Sequence, residues 1–136
     1  MLLSKIDHGL MARTLWGECR GEPFEGQVAV GYVIRNRALQ GGWWGSTIGE
    51  VCLKPYQFSC WNNDDPNRAR LMTVDYEDPN FVTALGIAAL LATLRLPDYS
   101  RGATHYVADY ITPPDWTKSL VPTVKLGRHQ FYKEAI

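Results

Sequence analysis

The sequence predicts a mainly helical α+β fold: a single domain over residues 1–136, helices first, with a small extended or β region near the C-terminus. Three observations carry this. Apolar residues recur at helical spacing in the first forty or so positions and again from Phe81 to Ala92. Glycine and proline punctuate the ends of those runs. Aromatic and β-branched residues fill two short stretches either side of Pro113-Pro114.

The elements follow in order. Ser4 can cap a helix carrying Ile6, Leu10, Met11 and Leu15, which runs to about Cys19 or Arg20 and ends at Gly21. Pro23 suits the first position of a second helix, with Glu25 in its first turn and Val28, Ala29, Tyr32, Val33 and Asn36 facing inward. Gly41-Gly42 stops it. Thr47-Ile48-Gly49-Glu50 has capping-box form before a short helix closed by Pro55. From Ser59 to Asn80 the composition turns to Asn, Asp and Pro, which reads as a long loop with one helical turn around Arg68 to Met72. Asp78-Pro79 opens a helix that is apolar on most of its circumference, and it is expected to be the central buried one. Ala103–Tyr110 and Thr123–Tyr132 read as two extended segments.

With 136 residues the chain buries roughly two-thirds of its unfolded surface, enough for a core without staples or metals. Its 14 basic and 14 acidic side chains cancel, which argues against a nucleic-acid binder. Five Trp and seven Tyr suit a polysaccharide partner, whose C–H faces stack on aromatic planes, although core packing also uses such rings. The longest apolar run, Ala84–Leu94, is well short of the ~20 residues a membrane span requires. Lys5, Asp7 and His8 interrupt the N-terminal apolar stretch, so no secretory signal is expected. Cys19, Cys52 and Cys60 lack metal or redox spacing and read as buried free thiols.

The informative stretch is Trp16-Gly17-Glu18-Cys19-Arg20-Gly21-Glu22-Pro23. Glu18 falls at the end of a mostly apolar helix. A carboxyl held partly out of water favours its neutral form, as a general acid for glycosidic cleavage requires. An ordinary surface ion pair with Arg13 or Arg20 is the alternative. Glu22, four residues on, is either a second carboxylate or a structural group organising the turn between the first two helices. Gln57, Ser59 and Trp61 either line a glycan cleft or belong to a loop anchored in the core by Phe58 and Trp61. Strand alternation sends Thr104 and Tyr106 to one face and His105 to the other, which makes Tyr106 either a substrate-orienting group or a core tyrosine.

The run ARTLWGECRGEPFEGQVAVGYVIRNRA resembles the core signature of SleB-type cell-wall hydrolases, the spore-cortex-lytic enzymes and related phage endolysins. Later pieces fit in order: Ser46-Thr47-Ile48, Gln57-Phe58-Ser59-Cys60-Trp61, Gly102-Ala103-Thr104-His105-Tyr106, Pro114-Asp115-Trp116 and Gly127-Arg128-His129-Gln130-Phe131-Tyr132. The resemblance implies a lysozyme-like fold and cleavage of the bond between N-acetylmuramic acid and N-acetylglucosamine. It implies a lytic transglycosylase in which Glu18, the first Glu of the G-E-x-R-G-E run, is acid and then base, with no cofactor and no metal. Cys19 stands where smaller residues such as Ala are commoner, a change expected to be harmless. His8, His105 and His129 form no H-E-x-x-H or H-x-x-E-H pair.

Two other readings stand beside this one: a hydrolytic muramidase using Glu22, and an inactive peptidoglycan-binding module on the same fold. A nucleophilic Cys52 or Cys60 with His105 or His129 is a weaker one. The expected partner is the peptidoglycan glycan strand, met by a monomer. The expected setting is a phage or prophage endolysin, made in the host cytoplasm and released by a holin-like factor to act on the wall.

Overall fold

The computed structural model describes residues 4–135. The apolar start Met1–Leu3, and with it the reading that no secretory leader is present, lies outside them. Five helices pack into one body: α1 (Lys5–Cys19), α2 (Phe24–Gln40), α3 (Ile48–Leu53), α4 (Asn67–Thr73) and α5 (Pro79–Ala92). Three strands, β1 (His105–Ala108), β2 (Leu120–Leu126) and β3 (His129–Glu134), form an antiparallel sheet in the order β1-β3-β2.

Local chemistry sets the helix starts. The Ser4 hydroxyl accepts from the Asp7 N–H, the Thr47 hydroxyl from the Glu50 N–H, and the Asp78 carboxylate from the Asn80 and Phe81 N–H groups. Pro23 lies just outside α2, which begins at Phe24.

The buried centre is α2, and this corrects the expectation for α5. Every residue from Gly26 to Ile34 is buried. By contrast, α5 lays one stripe, Phe81, Ala84, Ile87, Ala88 and Leu91, on the body and exposes Val82 and Leu90. Its overall apolarity exceeds the face it buries. The two helices meet at Gly31, where a Cβ would collide with Leu91 Cδ1.

Two further expectations change. The stretch after Ser59 contains a 3-10 turn at Ser59–Trp61 and the full helix α4, which buries Leu71 and starts where the Asp65 carboxylate accepts from the Asn67 N–H. The last extended segment is a hairpin, not one strand. It begins earlier, at Leu120, and turns at Gly127-Arg128, with Gly127 at φ 55°. Pro122 sits on the edge strand beside a register shift between Pro122 and Val124, where a missing N–H is tolerated.

Candidate active site

Helix α1 delivers Glu18 in its last turn, beside the 3-10 turn at Ser59–Trp61. Gly17 permits the approach: a Cβ there would lie 2.8 Å from Cys60 Cβ and 2.9 Å from its Sγ. That closeness brings the Cys60 N–H within 3.2 Å of Glu18 Oε2, with the Ser59 hydroxyl 3.5 Å from the same oxygen. From the sheet, the Tyr106 hydroxyl donates to Glu18 Oε1 at 2.7 Å. The carboxyl is thus held from two sides by groups distant in sequence.

Tyr106 is fixed in turn. β1 pairs Tyr106 with Phe131 and Ala108 with His129 across the sheet, and the Tyr106 ring packs on the rings of His129 (4.8 Å) and Phe131 (5.7 Å). Alternation sends His105 to the other face, between Trp44 and Trp116. Burial and the adjacent Glu18 carboxylate hold the Tyr106 phenol well above its usual pKa, so it stays a donor. Burial pushes His129 down, which keeps its ring neutral near pH 7. Arg37, buried on α2, ties the start of β1 to the helical body through Thr104 O (2.7 Å) and Gln57 Oε1 (2.8 Å). Burial lowers its pKa to about 10, still cationic at neutral pH.

Glu18 lies where two hollows meet. One, of about 400 Å³, is lined by Ser59, Tyr106, Ile111, Pro114 and Trp116; the other, of about 550 Å³, by Arg20, Glu22, Asn67 and Arg128. Gly17, Glu18, Tyr110 and His129 line both. A carboxyl midway along an open cleft can act on a bond inside a polymer, with chain on either side.

Residues 21–132 match the family of cell wall hydrolases. The chain belongs to that family. Spore cortex-lytic enzymes of Bacillus subtilis and Halalkalibacterium halodurans are 41% and 31% identical to it over 128 residues, 94% of this chain but only 38% and 35% of theirs. The chain therefore spans well under half the length of those relatives. Its fold matches the catalytic domain of the germination-specific lytic transglycosylase SleB from Bacillus anthracis, with a TM-score of 0.75 and 27% identity over 96% of this chain and 97% of that one. The SleB catalytic domain from Bacillus cereus gives 0.73 and 26%, over 96% and 91%. The mainly helical α+β fold expected from the sequence is the fold of these domains. The family match begins just past Glu18, so the role of that residue is argued from geometry.

In this member of the family the structure brings Glu18, Ser59 and Tyr106 together. Glu22 lines the same cleft, but its Oε1 accepts from the Arg128 N–H at 2.8 Å and lies 3.8 Å from His129 Nδ1. The carboxylate thus docks the β2–β3 turn onto the α1–α2 junction instead of organising that junction alone. Gln57 and Trp61 are not among the residues lining the cleft. Gln57 is held by Arg37, and the Trp61 indole N–H donates to Thr14 Oγ1 at 2.9 Å, facing a separate hollow with Tyr56 and Asn62. All three cysteines are buried and free. Burial pushes the Cys52 thiol up to about 12 and raises Cys60 further, the wrong direction for a nucleophile.

Sequence reasoning quoted Gly17, Arg37 and Cys60 within motifs but gave none of them its role at this site. A glycine one position before a candidate acid is the one signal that pointed there. Among the described residues no group of three or more His, Cys, Asp or Glu is placed to hold a metal ion, and no helix is long and apolar enough to cross a membrane.

Proposed function

We propose that this chain is a lytic transglycosylase that cleaves the bond between N-acetylmuramic acid and N-acetylglucosamine in peptidoglycan, with Glu18 as its single acid and base. The observation that carries this reading is the placement of the Glu18 carboxyl between the two arms of the cleft, with Tyr106 and the Cys60 N–H on its oxygens. Kinship to the SleB catalytic domain supports it.

The chemistry needs one carboxyl group. Glu18 gives its proton to the bridging oxygen as the C1–O bond breaks, releasing the N-acetylglucosamine hydroxyl. The carboxylate left behind is held by the Tyr106 O–H and the Cys60 N–H. It then takes the proton of the muramoyl C6 hydroxyl while that oxygen bonds to C1. The product is a 1,6-anhydro end, and Glu18 is returned protonated. Ser59 and Trp116, which line the aromatic side, would meet the sugar there, the ring stacking on a pyranose face.

A hydrolytic muramidase is the second reading, favoured by Glu22 lining the same cleft. The engagement of Glu22 with the Arg128 N–H supports the single-acid route. Action as an endolysin released by a holin-like partner belongs to the same proposal and rests on the resemblance stated for the sequence. Expression with a holin should then lyse cells that expression alone leaves intact.

Mass spectrometry of muropeptides released from purified peptidoglycan tests the reading. Wild type should yield products lighter by one water than hydrolytic disaccharides, and Glu18→Gln should yield none. Reducing muramic ends would make the chain a muramidase. Binding to sacculi without cleavage would make it a binding module.

A further inference from the structure

The two arms of the cleft differ in charge. The aromatic arm offers ring faces and no cation. The other carries Arg20 and Arg128, with Asn67 at the start of α4. Among the described residues Arg20 is held by neutral groups: its guanidinium lies 4.0 Å over the Trp16 ring and donates to Trp16 O (2.9 Å) and Asn67 Oδ1 (3.3 Å). Arg70 faces the same ring at 5.5 Å. Among the described residues no carboxylate lies within 4 Å of the guanidinium group of Arg20, Arg70 or Arg128.

The two acids of this arm, Glu18 and Glu22, are engaged by neutral donors and not by its guanidinium groups. Glu18 takes donors from Tyr106 and Cys60, and Glu22 takes the Arg128 backbone N–H. The guanidinium groups of this arm therefore keep N–H donors free for an anionic ligand. A guanidinium matches a carboxylate with two parallel hydrogen bonds, which gives geometry as well as attraction. A bare glycan strand of N-acetylated sugars and lactyl amides offers this arm no anion. The peptide stem on the muramoyl lactyl group does, in its free α- and C-terminal carboxylates.

We infer that Arg20 and Arg128 bind carboxylates of the peptide stem, so that the preferred substrate is a glycan strand whose muramoyl residue at the cleaved bond still carries its peptide. The inference rests on the glycan-cleaving reading above and sets a direction along the cleft. The peptide-bearing side of the strand lies toward Arg20 and Arg128, and bare ring faces lie toward Trp116.

Three matched substrates test this: strands with intact peptides, the same strands after amidase has removed the peptides and the lactyl carboxylates so freed have been capped as amides, and strands whose peptide carboxylates have been converted to amides. Wild type should show kcat/KM about tenfold higher on the first than on the other two, the factor an ordinary charge-assisted hydrogen bond gives. Arg128→Gln should bring that ratio toward one through KM. Arg128 is exposed, so the variant is expected to fold. Arg20→Gln should act the same way, with Arg20→Lys restoring only part of the ratio. Equal kcat/KM on all three substrates, or a variant that slows all three by one factor, would overturn the inference. Calorimetric binding of the same strands reads the preference even where nothing is cleaved, so failure of cleavage and failure of peptide recognition are separate results.

Discussion

The phenolic oxygen of Tyr106 lies 2.7 Å from Oε1 of Glu18, across 88 residues of chain. The first belongs to a strand and the second to the last turn of a helix, so the proposed acid is aimed by the docking of sheet on helices. Tyr106→Phe removes one hydrogen bond to that carboxyl and leaves the ring packing on Phe131 and His129 in place. The loss of about 1.5–3 kcal/mol should appear as a fall of roughly tenfold to a hundredfold in kcat, with little change in unfolding temperature. Muropeptide release and thermal unfolding of the same preparation check both halves.

Glu22 separates structure from chemistry by a pair of substitutions. Glu22→Gln keeps an oxygen for the Arg128 N–H and should retain fold and cleavage. Glu22→Ala leaves that donor without its acceptor and should cost about 1–3 kcal/mol. Urea unfolding gives the stability of each variant. A Glu22→Gln protein that is folded but inactive would make Glu22 a catalytic carboxylate.

Gly17 and Gly86 are both helical glycines and should respond in opposite senses to alanine. A Cβ at Gly17 would collide with Cys60, forcing the turn at Ser59–Trp61 away from Glu18; the expected cost is about 1–3 kcal/mol and most of the activity. Gly86, exposed on α5, has nothing within 4 Å of its added Cβ. Gly86→Ala should stabilise the fold by about 0.5–1 kcal/mol. Unfolding midpoints measure both.

His105 sets a pH dependence. Burial, with Arg37 nearby, lowers its pKa from 6.5 to about 4, against the opposing pull of Glu134. Between those values the unfolded chain takes up a proton that the folded one refuses. Stability should therefore be full above about pH 6.5 and fall as the pH drops toward 4, in the same sense as the contribution of His129. His105→Gln should flatten the dependence of the denaturation midpoint over this window. An unchanged slope would assign it to other groups.

What the sequence made legible was what neighbouring residues decide. Ser4, Thr47 and Asp78 cap helices because an N-cap is a bond across two or three residues, and each was readable in place. Even there the reciprocal half of the Thr47 box is absent, since Glu50 accepts from the Ser46 N–H instead. The hairpin was hidden because Gly127-Arg128 is a two-residue turn inside a run that reads as continuously extended. The primacy of α2 over α5 was hidden because burial depends on which neighbours cover a helix, and an apolar helix with one covered face looks like a fully covered one.

Within the candidate site, Glu18 and Tyr106 were legible as residue types, and their meeting was not. Gln57 and Trp61 had the right chemistry for a sugar cleft, yet Arg37 and Thr14 hold them elsewhere. No local pattern announces a buried arginine that braces a strand from a helix 67 residues earlier.

The Glu18–Tyr106 and Glu22–Arg128 bonds span 88 and 106 residues, and both cross the same seam between the helices and the sheet. Pairings that long bear the greatest loop-closure entropy and form after local ones have reduced it. Catalytic competence should therefore be among the last properties a refolding molecule acquires, with the helical far-ultraviolet signal returning ahead of peptidoglycan cleavage. The cleft is then a kinetic latch: a chain still attached to its ribosome, lacking β3, would already have helices but no aimed carboxyl.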